Sequence, residues 1–132
     1  MNKNSVFFIA DDDPDDQEIF VKALREIDEF CMCIIASDGR EAVEKLLSLQ
    51  PPLPDFIFLD LNMPRMDGRQ TLREIKKHTH LQPIPVIIYS TSADKKEMQE
   101  TMEMGAALFL QKPNRFDDLC KFLEQIIKQQ KD

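Results

Sequence analysis

The stretch FIFLDLNMPRMDG, residues 56–68, decides how this chain is read. Phe56, Ile57, Phe58 and Leu59 form a short unbroken apolar run, the pattern of a parallel strand buried on both faces. The run ends on a carboxylate, Asp60. A turn follows at once through Asn62 and Pro64 to Asp67-Gly68, where the spacing of Asp67 and Gln70 opens a helix. A carboxylate at the exit of a buried strand is costly unless something neutralises or uses it. Taken alone, Asp60 reads as a turn or capping acid; the other strand ends change that reading.

Working outward, the same punctuation recurs. Residues 6–10 are apolar and stop at Asp11-Asp12, after which Asp13 and Pro14 read as the cap and first residue of a helix reaching about Asp28. Residues 33–36 form a second strand. Asp38 and Glu41 then have capping-box spacing for a helix with Ala42, Val43, Leu46 and Leu47 inward, and Pro51, Pro52 and Pro54 stop it. Beyond the central stretch, a third helix turns Leu72 and Ile75 inward. Residues 86–89 are a strand ending in Ser90-Thr91-Ser92, and a helix over 93–104 closes at Gly105, a left-handed cap. Residues 107–110 lead to Gln111-Lys112-Pro113. Asn114 is placed to cap a last helix whose Phe116, Leu119, Phe122, Leu123, Ile126 and Ile127 keep a helical period. Five strands alternating with five helices predict an α/β, flavodoxin-like (βα)5 sandwich of three layers. Its parallel five-stranded sheet would have order 2-1-3-4-5 and its site at the carboxyl ends of the strands.

Composition bounds the function. At 132 residues, 42% apolar and 31% charged, the chain fits one domain, with a core over about residues 6–129 and no output domain expected. The net charge of −7 argues against a nucleic-acid surface. No apolar run suits a membrane span or secretory signal, so the expected compartment is the cytoplasm. Cys31, Cys33 and Cys120 lack zinc spacing and read as reduced, near-core thiols. His78 and His80 read as exposed residues near the end of the third helix, and Met98, Met102 and Met104 as helix packing.

On this topology Asp11, Asp12, Asp60, Ser90 and Lys112 converge on one edge. Two carboxylates 4 Å apart repel by about 4 kcal/mol at an effective dielectric of 20, so three of them call for a counter-charge. Hard oxygen ligands suit Mg²⁺ (or Mn²⁺), which needs only one or two carboxylates. Lys112 adds an ammonium and Ser90 a hydrogen-bond donor, a set suited to a carboxylate that attacks phosphorus.

Four motifs, FFIADDD, FIFLDLNMPRMDG, VIIYSTSA and LFLQKP, stand in an order that resembles a stand-alone receiver domain of two-component response regulators, similar to the chemotaxis-regulator family. The resemblance implies that Asp60 accepts a phosphoryl group from a sensor histidine kinase or histidine phosphotransfer protein. Asp12 would be a direct metal ligand, with Asp11 nearby through water and the Asn62 backbone carbonyl completing the protein ligands. Ser90 would bond the phosphoryl group, Lys112 would pair with it, and the Lys112-Pro113 bond would be cis. Phe109 would swing inward as Ser90 moves, changing the surface of helix 4, strand 5 and helix 5, where an unidentified downstream protein or a second copy would bind. Such a protein promotes its own phosphorylation and dephosphorylation without being a conventional enzyme.

Some positions depart from the common pattern. Ser90 stands where threonine is frequent, Phe109 lacks a tyrosine hydroxyl, Asn114 replaces an aromatic, and Thr91 is bulkier than usual and is expected to restrict access to Asp60. The rival readings are a phosphate-independent pseudo-receiver or interaction module, and a haloacid-dehalogenase-type phosphatase. The latter needs a second Asp two positions after its nucleophile, where this chain has Asn62. A nucleotide-binding fold would need glycine-rich phosphate loops that the sequence lacks.

Overall fold

The computed structural model describes residues 5–92 and 94–130. Five strands, β1 (Val6–Ala10), β2 (Met32–Ala36), β3 (Phe56–Leu59), β4 (Val86–Ser90) and β5 (Leu108–Gln111), alternate with five helices. These are α1 (Pro14–Ile27), α2 (Gly39–Ser48), α3 (Gly68–Lys76), α4 (Lys95–Glu103) and α5 (Phe116–Gln130). All strand pairs are parallel and the order is β2-β1-β3-β4-β5, as the alternation of elements predicts.

Strand alternation divides the core in two. Phe8, Ala10, Ile57, Leu59 and Ile88 face one layer, where α2 and α3 contribute Ala42, Leu46, Leu72 and Ile75. Phe7, Ile9, Phe56, Phe58, Ile87 and Tyr89 face the other, against Phe20, Ala23 and Leu24 of α1 and Leu119 and Leu123 of α5. On that side Phe20 meets Phe58 edge-on at 4.8 Å between ring centroids and tilts against Tyr89 at 5.2 Å. The in-register pairs Ala10–Ala36 and Ala10–Leu59 align the strand ends, so Asp11 and Asp60 leave adjacent strands at one level.

The helix starts mostly follow the capping residues. Asp13 accepts from the Asp15 and Asp16 N–H groups with Pro14 in the first turn, and Asp67 and Gln70 form a complete capping box. Asp38 caps α2, but the side chain of Glu41 turns back one residue further, accepting from Ser37 N–H at 2.5 Å. Gly105 closes α4 at φ 107°. Helix α4 begins at Lys95 with Asp94 as its cap, so the expected start at Ala93 falls on a residue outside the description. Asn114 lies two residues before Phe116, one too early to cap α5. Leu47, Met98 and Met102, expected to pack inward, are exposed at 44%, 37% and 45%.

Candidate functional site at the carboxyl edge of the sheet

Ser90 is the last residue of β4, Asp11, Asp60 and Lys112 directly follow β1, β3 and β5, and backbone hydrogen bonds extend the ladder to hold them there. Asp11 N–H donates to Ala36 O at 3.0 Å, Asp60 N–H to Ala10 O at 3.0 Å and Lys112 N–H to Ser90 O at 2.7 Å. Asp11, Asp60 and Ser90 are thereby buried, while Asp12 is exposed. The Asp11, Asp12 and Asp60 carboxylates offer oxygens that all lie within 4.8 Å of one another.

Lys112 neutralises this cluster. Its Nζ lies 2.7 Å from Asp11 Oδ2, 3.0 Å from Asp16 Oδ2 and 3.3 Å from Asp60 Oδ2, so all three ammonium donors are used. The same Nζ sits 5.3 Å from the centre of the Tyr89 ring, a further favourable contact for a half-buried cation. Burial alone would lower the lysine pKa. The hydrogen bonds it donates to Asp11 and Asp16, then the charges of Asp60 and Asp11, push it above the ordinary value instead. Burial pushes the Asp60 carboxyl up to about 6, with Lys112 opposing and Asp11 adding to the shift. Burial likewise pushes the Tyr89 phenol up to about 12. Asp60 also accepts from Asn62 N–H at 3.2 Å, and Gln17 Nε2 donates to the Asp11 carbonyl at 2.5 Å.

The loop after Asp60 is packed closely. A Cβ at Gly68 would run into the carbonyl oxygen of Asp60 and the Leu61 Cα, and Gly68 N–H donates to Leu61 O at 3.0 Å. Glycine is therefore required where α3 begins.

The structure thus brings together Asp11, Asp12, Asp60 and Lys112, with the backbone N–H of Asn62 beside them. Ser90 lies at the adjacent strand end, its Oγ accepting from Ser92 N–H at 3.2 Å. Thr91 is exposed, and its carbonyl accepts from Gln111 Nε2 at 3.3 Å. Phe109 is half-buried against the α2–α3 layer. One expectation is corrected: the Lys112–Pro113 bond is trans, and the cis bond among the described residues is Pro51–Pro52. With the ladder bond from Lys112 N–H to Ser90 O in place, Nζ lies 2.7 Å from Asp11 Oδ2 across a trans bond.

Two contributors went unnoticed in the sequence. Asp16, in the first turn of α1, stands in the acidic run of residues 11–16 and meets Lys112 Nζ at 3.0 Å once α1 docks on the sheet. Tyr89 read only as a core strand residue.

A groove lined by Asp16, Ile19, Tyr89, Lys112, Pro113 and Phe116 opens from this cluster between α1 and the start of α5. The donors are hard oxygens of excess negative charge, which is the chemistry of a divalent-cation site.

The comparisons agree with this geometry. The family model described as the response regulator receiver domain matches residues 7–124. Response regulator Rcp1 of Synechocystis sp. is 30% identical over 129 residues, covering 95% of this chain and 88% of that protein. A protein-glutamate methylesterase/protein-glutamine glutaminase of Carboxydothermus hydrogenoformans is 39% identical over 106 residues, 76% of this chain but 28% of that protein. The chain therefore spans little more than a quarter of the methylesterase's length. Among solved structures, that of the phosphorylated cyanobacterial phytochrome response regulator RcpA superposes with a TM-score of 0.86 at 27% identity, covering 96% of this chain and 93% of that one. The Mn(2+)-bound form of Rcp1 gives 0.80 at 30% identity, covering 92% and 91%. A doubly wound sheet with acids, a hydroxyl and a lysine gathered at its carboxyl edge, matched along most of its length, places this chain in the response regulator receiver domain family.

Proposed function

We propose that this receiver accepts a phosphoryl group on Asp60 from a phosphohistidine of a sensor kinase or histidine phosphotransfer protein and signals through a partner protein. The observation that carries the reading is the meeting of Asp60 with Lys112 and the Asp11–Asp12 pair at adjacent strand ends. In the transfer, a carboxylate oxygen of Asp60 attacks phosphorus and the P–N bond breaks, its electron pair remaining on the imidazole. Lys112, 3.3 Å from Asp60, balances charge on the phosphoryl oxygens. Ser90 turns its hydroxyl toward them, and Thr91 at the rim sets how freely a donor reaches Asp60.

Asp11, Asp12, Asp60 and the Asn62 carbonyl would hold Mg²⁺ or Mn²⁺, which supplies charge neutralisation at the phosphoryl oxygens when bound. The crystal structure of a Mn(2+)-bound relative supports the metal assignment. Phe109 and the α4–β5–α5 face are the proposed route from Ser90 to a downstream protein or a second copy. No helix among the described residues is long and apolar enough to cross a membrane, and the expected location stays cytoplasmic.

Intact mass after incubation with acetyl phosphate and Mg²⁺ tests the reading. One phosphoryl group gained by the wild type, and by neither Asp60→Ala nor a metal-free sample, is the expected result. No gain under any condition overturns it in favour of a phosphate-independent interaction module.

A further inference from the structure

The connection from β4 to α4 is closed by a chain of polar contacts reaching a different helix. Ser90 Oγ accepts from Ser92 N–H, and Ser92 Oγ donates to Glu97 Oε1 at 2.6 Å. The other oxygen of Glu97 accepts from Arg69 Nη2 of α3 at 3.0 Å. Arg69 Nε, itself buried, lies 3.2 Å from Glu100 Oε2 without an aligned acceptor, so Glu100 acts on it as a charge. Glu97 and Arg69 side chains are only 18% and 33% exposed, which shields the pair from solvent.

What makes this chain of contacts consequential is how little else holds α4. Its one buried residue among those described is Thr101, whereas α3 buries Gly68, Thr71, Leu72 and Ile75. Met98 and Met102, the apolar side chains of the helix, are exposed rather than buried against the sheet. A helix with so little apolar burial belongs to the low-stability end of a fold, where one charge-assisted hydrogen bond shifts a population.

We infer that Arg69 and Glu97 form a latch that fixes the β4–α4 connection through Ser92. The latch sets how readily Ser90 leaves Ser92 N–H to meet a phosphoryl group on Asp60. Arg69 is in this sense a positioning residue: it acts on the site through Glu97 and Ser92. An arrangement that engages Ser90 with the phosphoryl group must work against the latch, so loosening it raises the fraction of molecules ready to engage. This regulatory part rests on the phosphoacceptor reading above; the latch itself does not.

Amide hydrogen exchange on the full chain without phosphodonor reads the latch directly. Arg69→Ala and the isosteric Glu97→Gln are expected to speed exchange over residues 95–103 by about tenfold, the scale of one hydrogen bond to a charged group. The double variant should do no more than either single, Arg69→Lys should fall between, and α1 should be unchanged. In parallel, both variants should gain phosphoryl mass from acetyl phosphate and Mg²⁺ faster than the wild type by a similar factor. Unchanged exchange in Glu97→Gln, which keeps the packing should Arg69→Ala fail to fold, overturns the latch. Faster exchange with an unchanged phosphorylation rate overturns its link to Ser90. A wild type that takes no phosphoryl group overturns the functional reading and the link together, while exchange still decides whether the latch exists.

Discussion

Two loops flank Asp60, and they are built on different principles. The one from β3 to α3 is held chiefly by main chain, Gly68 N–H on Leu61 O and Gly39 N–H on Met66 O, with no room for a Cβ at Gly68, and the Asp67 and Gln70 side chains cap the helix it enters. The one from β4 to α4 is held by side chains, through Ser90, Ser92, Asp94 and Glu97, and leads into a helix that buries almost nothing apolar. Main-chain bonds with close packing leave a loop one arrangement; side-chain bonds at a half-exposed surface can be exchanged for others at small cost. Asp60 therefore stands on the rigid loop and Ser90 on the adaptable one.

The strongest attempt to break this contrast is Gly68→Val. Its side chain would have to displace the Asp60 and Leu61 backbone, and we expect a loss of about 4 kcal/mol or more by urea unfolding. A smaller loss, near 1 kcal/mol, would mean that the first loop yields as easily as the second. Lys112→Met comes next. It leaves Asp11, fully buried, and Asp60 without their cation, at a cost of about 3 kcal/mol in metal-free buffer. Added Mg²⁺ should recover a good part of that loss, because the vacated carboxylates then face a metal in place of an ammonium.

Asp60→Asn acts in the opposite direction. The folded carboxyl is pushed from 3.8 up to about 6, so the native state holds this proton more tightly than the unfolded chain. The stability it contributes is fully present below the ordinary value and is lost as pH rises through about 6. The neutral amide should therefore make the metal-free protein about 2 kcal/mol more stable at pH 7 to 8. That gain should shrink toward zero near pH 4. A gain that does not depend on pH would show that relief of the buried charge is not its source.

The fold and the strand-end residues were legible because the signals are local. Each of Asp11, Asp60 and Ser90 closes an unbroken apolar run, and the parallel topology turns chain position into a place on one edge. Asp16 is not legible as a partner of Lys112, since it meets it only through the docking of α1 on the sheet, and Tyr89 meets it only through the pairing of β4 with β5. Arg69 escaped for the same reason: its contact with Glu97 spans two helices whose relative placement no short-range pattern encodes. The trans Lys112–Pro113 bond shows the limit of an expectation carried over by family likeness. There the lysine reaches its target by the strand ladder and its own length.

The smallest expected effect sharpens the contrast most. Ser92→Ala removes the hydroxyl that donates to Glu97 and accepts from Asp94 N–H, at a half-exposed position where water can serve both partners. The global cost by urea unfolding should be only about 0.5 kcal/mol, since the lost bonds are replaced by solvent. Locally the change is larger, because α4 has few other ties: exchange over residues 95–103 should rise while that of α3 stays as it was. The decisive quantity is the ratio of local to global effect, high for Ser92→Ala and near one for Gly68→Val. Equal ratios would show that both loops open only with the whole domain, and the division between a rigid Asp60 loop and an adaptable Ser90 loop would fall.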